Sequence, residues 1–233
     1  MKYMGSKNRI AKYILPIMLA ERKPKQWWVE PFVGGANMID KVEGHRLGAD
    51  SNRFLIALLK EMQKDGFEAP IIDKKTFLDM KINNDKYEDW ELGFAGFQLS
   101  YGAIWFGSYR RDNMGKRDYA LEAKRNVDSQ KLKIKNIKFV NCKYENLVIP
   151  PNSLIYCDPP YYNTAKYKGV EDFNHTVFWQ WCRNKTKEGH TVFISEYNAP
   201  DDFKCVWQKE ICSSLAKDTG SKKGIEKLFR YEV

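Results

Sequence analysis

No run of about 18 apolar residues occurs in this chain, the length a helix needs to cross a bilayer. The opening stretch, MKYMGSKNRIAKYILPIMLAERK, has charges scattered through it, with no continuous apolar segment and no small-residue cleavage site. It does not read as a secretory signal. There are five cysteines, Cys142, Cys157, Cys182, Cys205 and Cys212, an odd number with no CxxC spacing. That pattern predicts reduced thiols used as core filler in a cytoplasmic compartment, and no disulfide framework. His45, His175 and His190 are far apart, with no HExxH and no Cys/His cluster, so no metal site is expected. A GxGxxG motif is also missing, which argues against a pyrophosphate cradle. Internal repeats and low-complexity tracts are absent.

What is present is a 233-residue chain with 43% hydrophobic residues, enough for one large domain or one domain carrying an insertion. The aromatic share is high, 14%, and the formal net charge is +9. A basic surplus favours a polyanionic partner, nucleic acid or a membrane surface. Charge alone is equally compatible with an ordinary basic soluble protein.

Along the chain, residues 9–22 (RIAKYILPIMLAER) carry apolar positions at helical spacing, interrupted by Pro16, so a helix kinked or restarted at the proline is expected. WWVEPFV (27–33) reads as a strand opening into Gly34-Gly35, and HRLGAD (45–50) as a second strand ending on Asp50. A helix is expected from Asn52, stopped by Gly66. Residues 67–135 change character: charged and aromatic, without period-2 strands. EDWELGFAGFQLSYGAIWFG in this stretch reads as a partly buried helix, and SYRRDNMGKRDYA as a basic hairpin or loop around Asn113 and Gly115. Strand character resumes in KFVNC, SLIYC, HTVFIS and CVWQKEIC, with a helix over 175–189. Strands alternating with helices predict a parallel α/β sheet. The expected layout is a catalytic domain from residues 1–66 and 136–233, split by an inserted, mainly helical domain at 67–135.

The most informative stretch is LIYCDPPYY (154–162). A buried strand that merely stops needs one turn residue. Two prolines fix φ twice and remove two donors while their carbonyls still accept. The product is a rigid corner with one acid, bare acceptors and an aromatic face, suited to a flat ring that donates hydrogen bonds. Ligands of open α/β sheets bind beyond the carboxyl ends of the strands. EPFVGGAN and Asp50 should fall at that same edge. The glycines permit close backbone approach to a ligand, and Asp50 can accept from the two hydroxyls of a ribose. A nucleoside without phosphates fits better than a dinucleotide. Two plainer readings stay open: the glycines as a turn, and Asp50 or Asn52 as a helix cap.

With KYMGSK (2–7), EPFVGGAN (30–37), LGADSN (47–52) and YCDPPYY (156–162) in that order, the chain resembles Dam-type DNA adenine-N6 methyltransferases of the D12 class and α group. TVFISEYNAP (191–200) and GSKKGIEKLFRYE (220–232) are similar to that family's later segments. The resemblance implies a Rossmann-like methyltransferase sheet with S-adenosylmethionine as cofactor, S-adenosylhomocysteine as product, and double-stranded DNA as partner. It implies cofactor contacts from Tyr3, Lys7, Glu30, Phe32, Gly34, Gly35, Asp50 and Asp158. Asp158, Pro159, Pro160 and Tyr161 would form the catalytic tetrapeptide, and Lys2 would contact target DNA. The insert keeps the family's aromatic and basic flavour without residue-by-residue identity, so the resemblance supports adenine and does not supply a GATC site. Neither metal nor membrane is implied. The expected setting is the cytoplasm of a bacterial or phage-infected cell, whether as a phage, orphan or restriction-system methylase.

The residues rationalise that chemistry. Adenine N6 is a poor nucleophile because its lone pair is delocalised into the ring. The Asp158 carboxylate and the Pro159 carbonyl, set against its two N–H groups, would orient the nitrogen and stabilise the charge developing on it. Tyr161 would stack on the ring. No cysteine follows a proline, which argues against a C5-cytosine methyltransferase. The target base must leave the duplex, and Tyr109, Arg110, Arg111, Lys116 and Arg117 are the candidate DNA contacts; a solvated charged loop is the plain alternative. Tyr101 and Trp105 are wedge or core candidates, Trp105 rather core. Two other functions stay open: a cytosine-N4, RNA or protein-glutamine amino-methyltransferase, and an inactive DNA-binding relative.

Overall fold

The computed structural model describes residues 1–112, 114–162, 173–212 and 223–232, with the side chains of residues 211, 212 and 223 left aside. Asn113, the Cys212 side chain and residues 220–222 of the closing segment lie outside that description.

A seven-stranded sheet organises the chain. Its strands are β1 (Trp28–Glu30), β2 (Arg46–Asp50), β3 (Lys138–Asn141), β4 (Leu154–Cys157), β5 (Thr191–Glu196), β6 (Phe203–Cys212) and β7 (Lys223–Tyr231), in the order β3-β2-β1-β4-β5-β7-β6. The first five in that order run parallel. β7 is antiparallel to β5, and β6 to β7. The sheet is therefore mixed, which corrects the expectation of a parallel one. A strand–helix–strand alternation generates parallel pairs, but no helix separates β6 from β7 among the described residues, and the closing pair runs as a ladder from Phe203↔Tyr231 to Cys212↔Lys223.

β1 and β4 lie inside the sheet and are buried at every position, whereas β3 at the edge buries only Phe139. Alternation sends successive residues to opposite faces. Trp28, Tyr156 and Phe193 join one apolar cluster, and their neighbours Val29, Ile155 and Ile194 join the other. The fold is α/β, a Rossmann-like sheet.

The helices are α1 (Ala11–Ala20), α2 (Arg53–Glu61), α3 (Lys74–Ile82), α4 (Asp89–Gly93), α5 (Tyr119–Ile134) and α6 (His175–Lys187), and α4 continues as a π-helix, Phe94–Gln98. α1 runs through Pro16 without restarting. Pro16 and Lys12 are both on its exposed side, so the Lys12 carbonyl that the proline leaves without a partner faces water. Asn52 caps α2 by accepting from the Leu55 N–H at 3.1 Å, as the sequence predicts. Between α2 and β3 come α3, α4 with its π-helix, and α5. Their Phe77, Phe94, Phe97 and Val127 share one apolar cluster with Ile14, Trp28 and Leu58. Gly93 makes α4 fit against α2: a Cβ there would sit 2.2 Å from the Phe54 carbonyl oxygen. Among the described residues, no helix is long and apolar enough to cross a membrane.

Candidate active site

β4 delivers Asp158 to the carboxyl edge of the sheet, next to the ends of β1 and β5. Lys7 meets it from a 3-10 turn, Lys7–Arg9, capped by the Ser6 hydroxyl. The Lys7 side chain is only 7% exposed, and its Nζ lies 2.8 Å from Asp158 Oδ1. It also donates to the Gly5 carbonyl at 3.0 Å and lies 4.4 Å from the centre of the Tyr161 ring. Burial pushes the Asp158 carboxyl up, and the neighbouring ammonium offsets part of that. Burial would lower Lys7, but Asp158 and Glu226 outweigh it and hold its pKa above the ordinary value. The lysine therefore stays charged beside its partner.

Two further acids fasten the chain beyond the prolines. Glu226 of β7 accepts from the Tyr161 hydroxyl at 2.8 Å, and Tyr197 meets the Tyr161 ring edge-on at 4.7 Å. Glu196, the last residue of β5, accepts from the Tyr162 N–H at 3.1 Å and from the Tyr197 N–H at 2.8 Å. Its carboxylate ties together the segments leaving β4 and β5. Burial raises its pKa to about 7, against the lowering effect of those two donors. Sequence reasoning singled out neither acid. Glu196 did carry a signal, an acid closing a buried strand as Asp158 does. Glu226 carried none, because its place depends on the antiparallel pairing of β7.

At the neighbouring edge the main chain turns through Val33, whose N–H donates to the Ala49 carbonyl at 2.8 Å. Asp50 accepts from the Gly34 N–H at 3.1 Å and the Asn52 N–H at 3.0 Å. It thus organises the glycine turn and the start of α2 together. Burial raises its pKa, and those backbone donors work against the rise. Gly34 has φ +47°, a conformation open to glycine. The close approach that the glycines permit is made by Tyr3: a Cβ on Gly34 would sit 2.8 Å from Tyr3 Cε1, and one on Gly35 2.8 Å from Tyr3 Cβ. Glu30 is buried and accepts from the Trp28 indole at 2.8 Å, and burial drives its pKa well above the usual range. Phe32 packs among Tyr144, Phe173 and Phe178.

The donor set suits a nucleoside carrying a ribose and a cationic sulfur. A carboxylate has about four lone-pair positions, so Asp50 keeps capacity for a ligand hydroxyl beside its backbone donors. Tyr3, Gly34 and Asp50 lie together. Depressions of about 430 and 560 Å³ lie elsewhere, lined by Arg46 and Lys133 and by Arg22 and His45, around the amino end of β2. No group of side chains able to hold a metal ion occurs among the described residues.

The candidate DNA contacts separate into two sets. Lys2 and Arg110 both pair with Glu122, the latter at 3.2 Å with its side chain 9% exposed. The Arg110 guanidinium also lies 4.2 Å from the Tyr119 ring. Tyr109 donates its hydroxyl to the Ile72 carbonyl at 2.8 Å and packs on Phe77. Arg111, Lys116 and Arg117 are exposed, on a loop folded around Asp112, which accepts from the N–H groups of Met114 and Lys116. Trp105 stacks on Phe54, both partly buried against the core, while Tyr101 is 65% exposed.

A family model described as "D12 class N6 adenine-specific DNA methyltransferase" matches residues 3–222. No curated protein matches the chain. Among solved structures it is similar to SMU.472, described as a methyltransferase and solved in complex with SAH, at 14% identity and a TM-score of 0.39. That match covers 97% of this chain and 52% of the other, so the chain spans about half the length of that relative. It is also similar to YhhF of Escherichia coli, described as a methyltransferase, at 8% identity and TM-score 0.39, covering 100% and 90% of the two chains. A human methyltransferase 10 domain containing protein matches at 5% identity and TM-score 0.40, covering 100% and 84%.

Proposed function

Because the chain belongs to the D12 class of N6 adenine-specific DNA methyltransferases, we propose that it methylates adenine N6 in double-stranded DNA at the corner formed by Asp158, Pro159, Pro160 and Tyr161. The observation that carries this reading is the ion pair of the buried Lys7 with the partly buried Asp158, 2.8 Å apart, where β4 gives way to two prolines.

Asp158, paired with Lys7, accepts from one N–H of the exocyclic amine, and the Pro159 carbonyl accepts from the other. The prolines hold that carbonyl with little freedom to lose on binding. Both acceptors face the positive charge that grows on nitrogen, so they stabilise the transition state more than the ground state. Tyr161, its hydroxyl on Glu226, offers the base a wall of fixed orientation, and such stacking is worth about 1–3 kcal/mol. Asp50 takes a ribose hydroxyl of the cofactor, and Tyr3 with Gly34 and Gly35 lines its pocket. When bound, S-adenosylmethionine supplies an electrophilic methyl group, and its demethylated product is a neutral thioether.

Extruding the base from the duplex costs a few kcal/mol. Arg111, Lys116 and Arg117 offset part of that cost through phosphate contacts, which makes residues 67–135 the target-recognition part of the chain. The setting this implies is the cytoplasm of a bacterial or phage-infected cell.

The test is incubation with methyl-labelled cofactor and unmethylated DNA, followed by digestion to nucleosides. The expected label is in N6-methyl-2′-deoxyadenosine. Label confined to N4-methylcytosine, or transfer only to RNA or protein, overturns the reading.

A further inference from the structure

The π-helix of the insert ends on a side chain that performs an unusual task. Gln98 is 1% exposed. Its Nε2 donates to the Lys2 carbonyl at 2.9 Å, and its Oε1 accepts from the Lys2 N–H at 2.9 Å. One amide thus occupies both main-chain groups of one residue, as a neighbouring strand would. The residue before it, Phe97, packs on Tyr3 with ring centres 5.5 Å apart. Tyr3 in turn fills the space above Gly34 and Gly35, and the Gly34 N–H reaches Asp50. A short chain of direct contacts therefore runs from the insert through Lys2 and Tyr3 to the acid proposed to hold the ribose. The Lys2 ammonium is anchored separately, on Glu122, so main chain and side chain of Lys2 are held by different parts of the insert. π-turns recur at functional sites. Here the turn brings Gln98 and Phe97 against consecutive residues of the N-terminal segment.

We infer that Gln98 is a positioning residue for the cofactor pocket: by clamping the main chain of Lys2 it seats Tyr3 across Gly34 and Gly35. The insert then forms part of the cofactor pocket's support in addition to any role in reading DNA. This rests on the reading of Gly34, Gly35 and Asp50 as the cofactor pocket.

The experiment is calorimetric titration of the full chain with S-adenosylhomocysteine, alongside steady-state kinetics with varied S-adenosylmethionine. Gln98→Leu keeps the bulk and removes both hydrogen bonds, each a modest net contribution. It should raise the Kd roughly tenfold and the cofactor KM in step, with kcat at saturating cofactor within about twofold of wild type. A merely structural role would lower kcat and the unfolding midpoint and leave that KM in place. Asp50→Ala separates the two readings. If it leaves the Kd unchanged, the pocket assignment fails. If it weakens binding while Gln98→Leu does not, this inference alone fails. Should Gln98→Leu not fold, Lys2→Pro and Lys2→Ala give the same answer. Both lose the ammonium, but only the proline loses the N–H that Gln98 accepts from. A weaker Kd for the proline variant supports the clamp, and equal Kd values overturn it.

Discussion

The corner after β4 and the loop before α5 are both rich in ionisable groups, and they use them in opposite ways. At the corner, Lys7, Glu196 and Glu226 are buried, and each has a defined counterpart in Asp158, two backbone N–H groups and the Tyr161 hydroxyl. On the loop, Arg111, Lys116 and Arg117 are exposed. Buried charges fix geometry and are screened little by salt, while exposed ones act through a field that salt weakens within about 10 Å. Arg110 shows that neighbours in sequence need not share a role. It sits beside Arg111, yet its ion pair with Glu122 and its packing on Tyr119 give it the character of the corner.

The largest effect should come from breaking the corner's ion pair. Lys7→Met leaves a partly buried carboxylate uncompensated, a loss of about 3 kcal/mol readable by chemical denaturation. Without the ammonium the Asp158 pKa rises further, so remaining activity should move to higher pH. A variant with wild-type stability and an unmoved acid limb would remove the contrast. Next comes Asp158→Ala, which takes away a hydrogen bond to a charged group, about 1.5–3 kcal/mol or ten- to a hundredfold in turnover. DNA affinity, measured by anisotropy, should stay within about twofold. Undiminished turnover would refute the acceptor role.

Glu196 offers a gentler test by pH. Its pKa of about 7 in the folded state lies above the ordinary glutamate value, so the folded chain binds this proton more tightly than the unfolded one. Stability relative to Glu196→Gln should therefore decline as pH rises from about 4.5 through about 7, by up to about 3 kcal/mol, and level off above that. A flat difference across the window would show that the carboxyl is not held as described. The smallest effects belong to the loop. Arg111→Ala, Lys116→Ala and Arg117→Ala should each weaken DNA binding a few-fold and reduce the slope of log K against log salt by about 1, with turnover at saturating DNA unchanged. Arg110→Ala should instead lower the unfolding midpoint. If Arg110 and Arg111 behave alike, the division between corner and loop is wrong.

Much of this was legible from local signals. Asn52 announced the start of α2, and the apolar run before Asp158 announced a strand buried at every position. Long-range partners were not legible. α5 hid because its buried stripe, Ala123, Val127, Gln130 and Ile134, is narrow and includes a glutamine in an otherwise polar helix. The antiparallel closing strands hid because strand direction depends on where the chain returns. Gly34 and Gly35 were read as room for a ligand, and the residue that approaches them is Tyr3, from before α1 and β1 in sequence.

What the sequence determined by itself is whatever depends on neighbours along the chain: proline stiffness, helix caps, the apolar run of β4, and the ordered motifs that identify the family. Tertiary structure alone decided which charges became buried partners. Lys7 meets Asp158, Glu226 meets Tyr161, and Gln98 meets Lys2 only because the sheet brings β4, β5 and β7 side by side and the insert packs onto the N-terminal segment. Such contacts join residues far apart in sequence. Their strength comes from removal from water, and no local pattern records that.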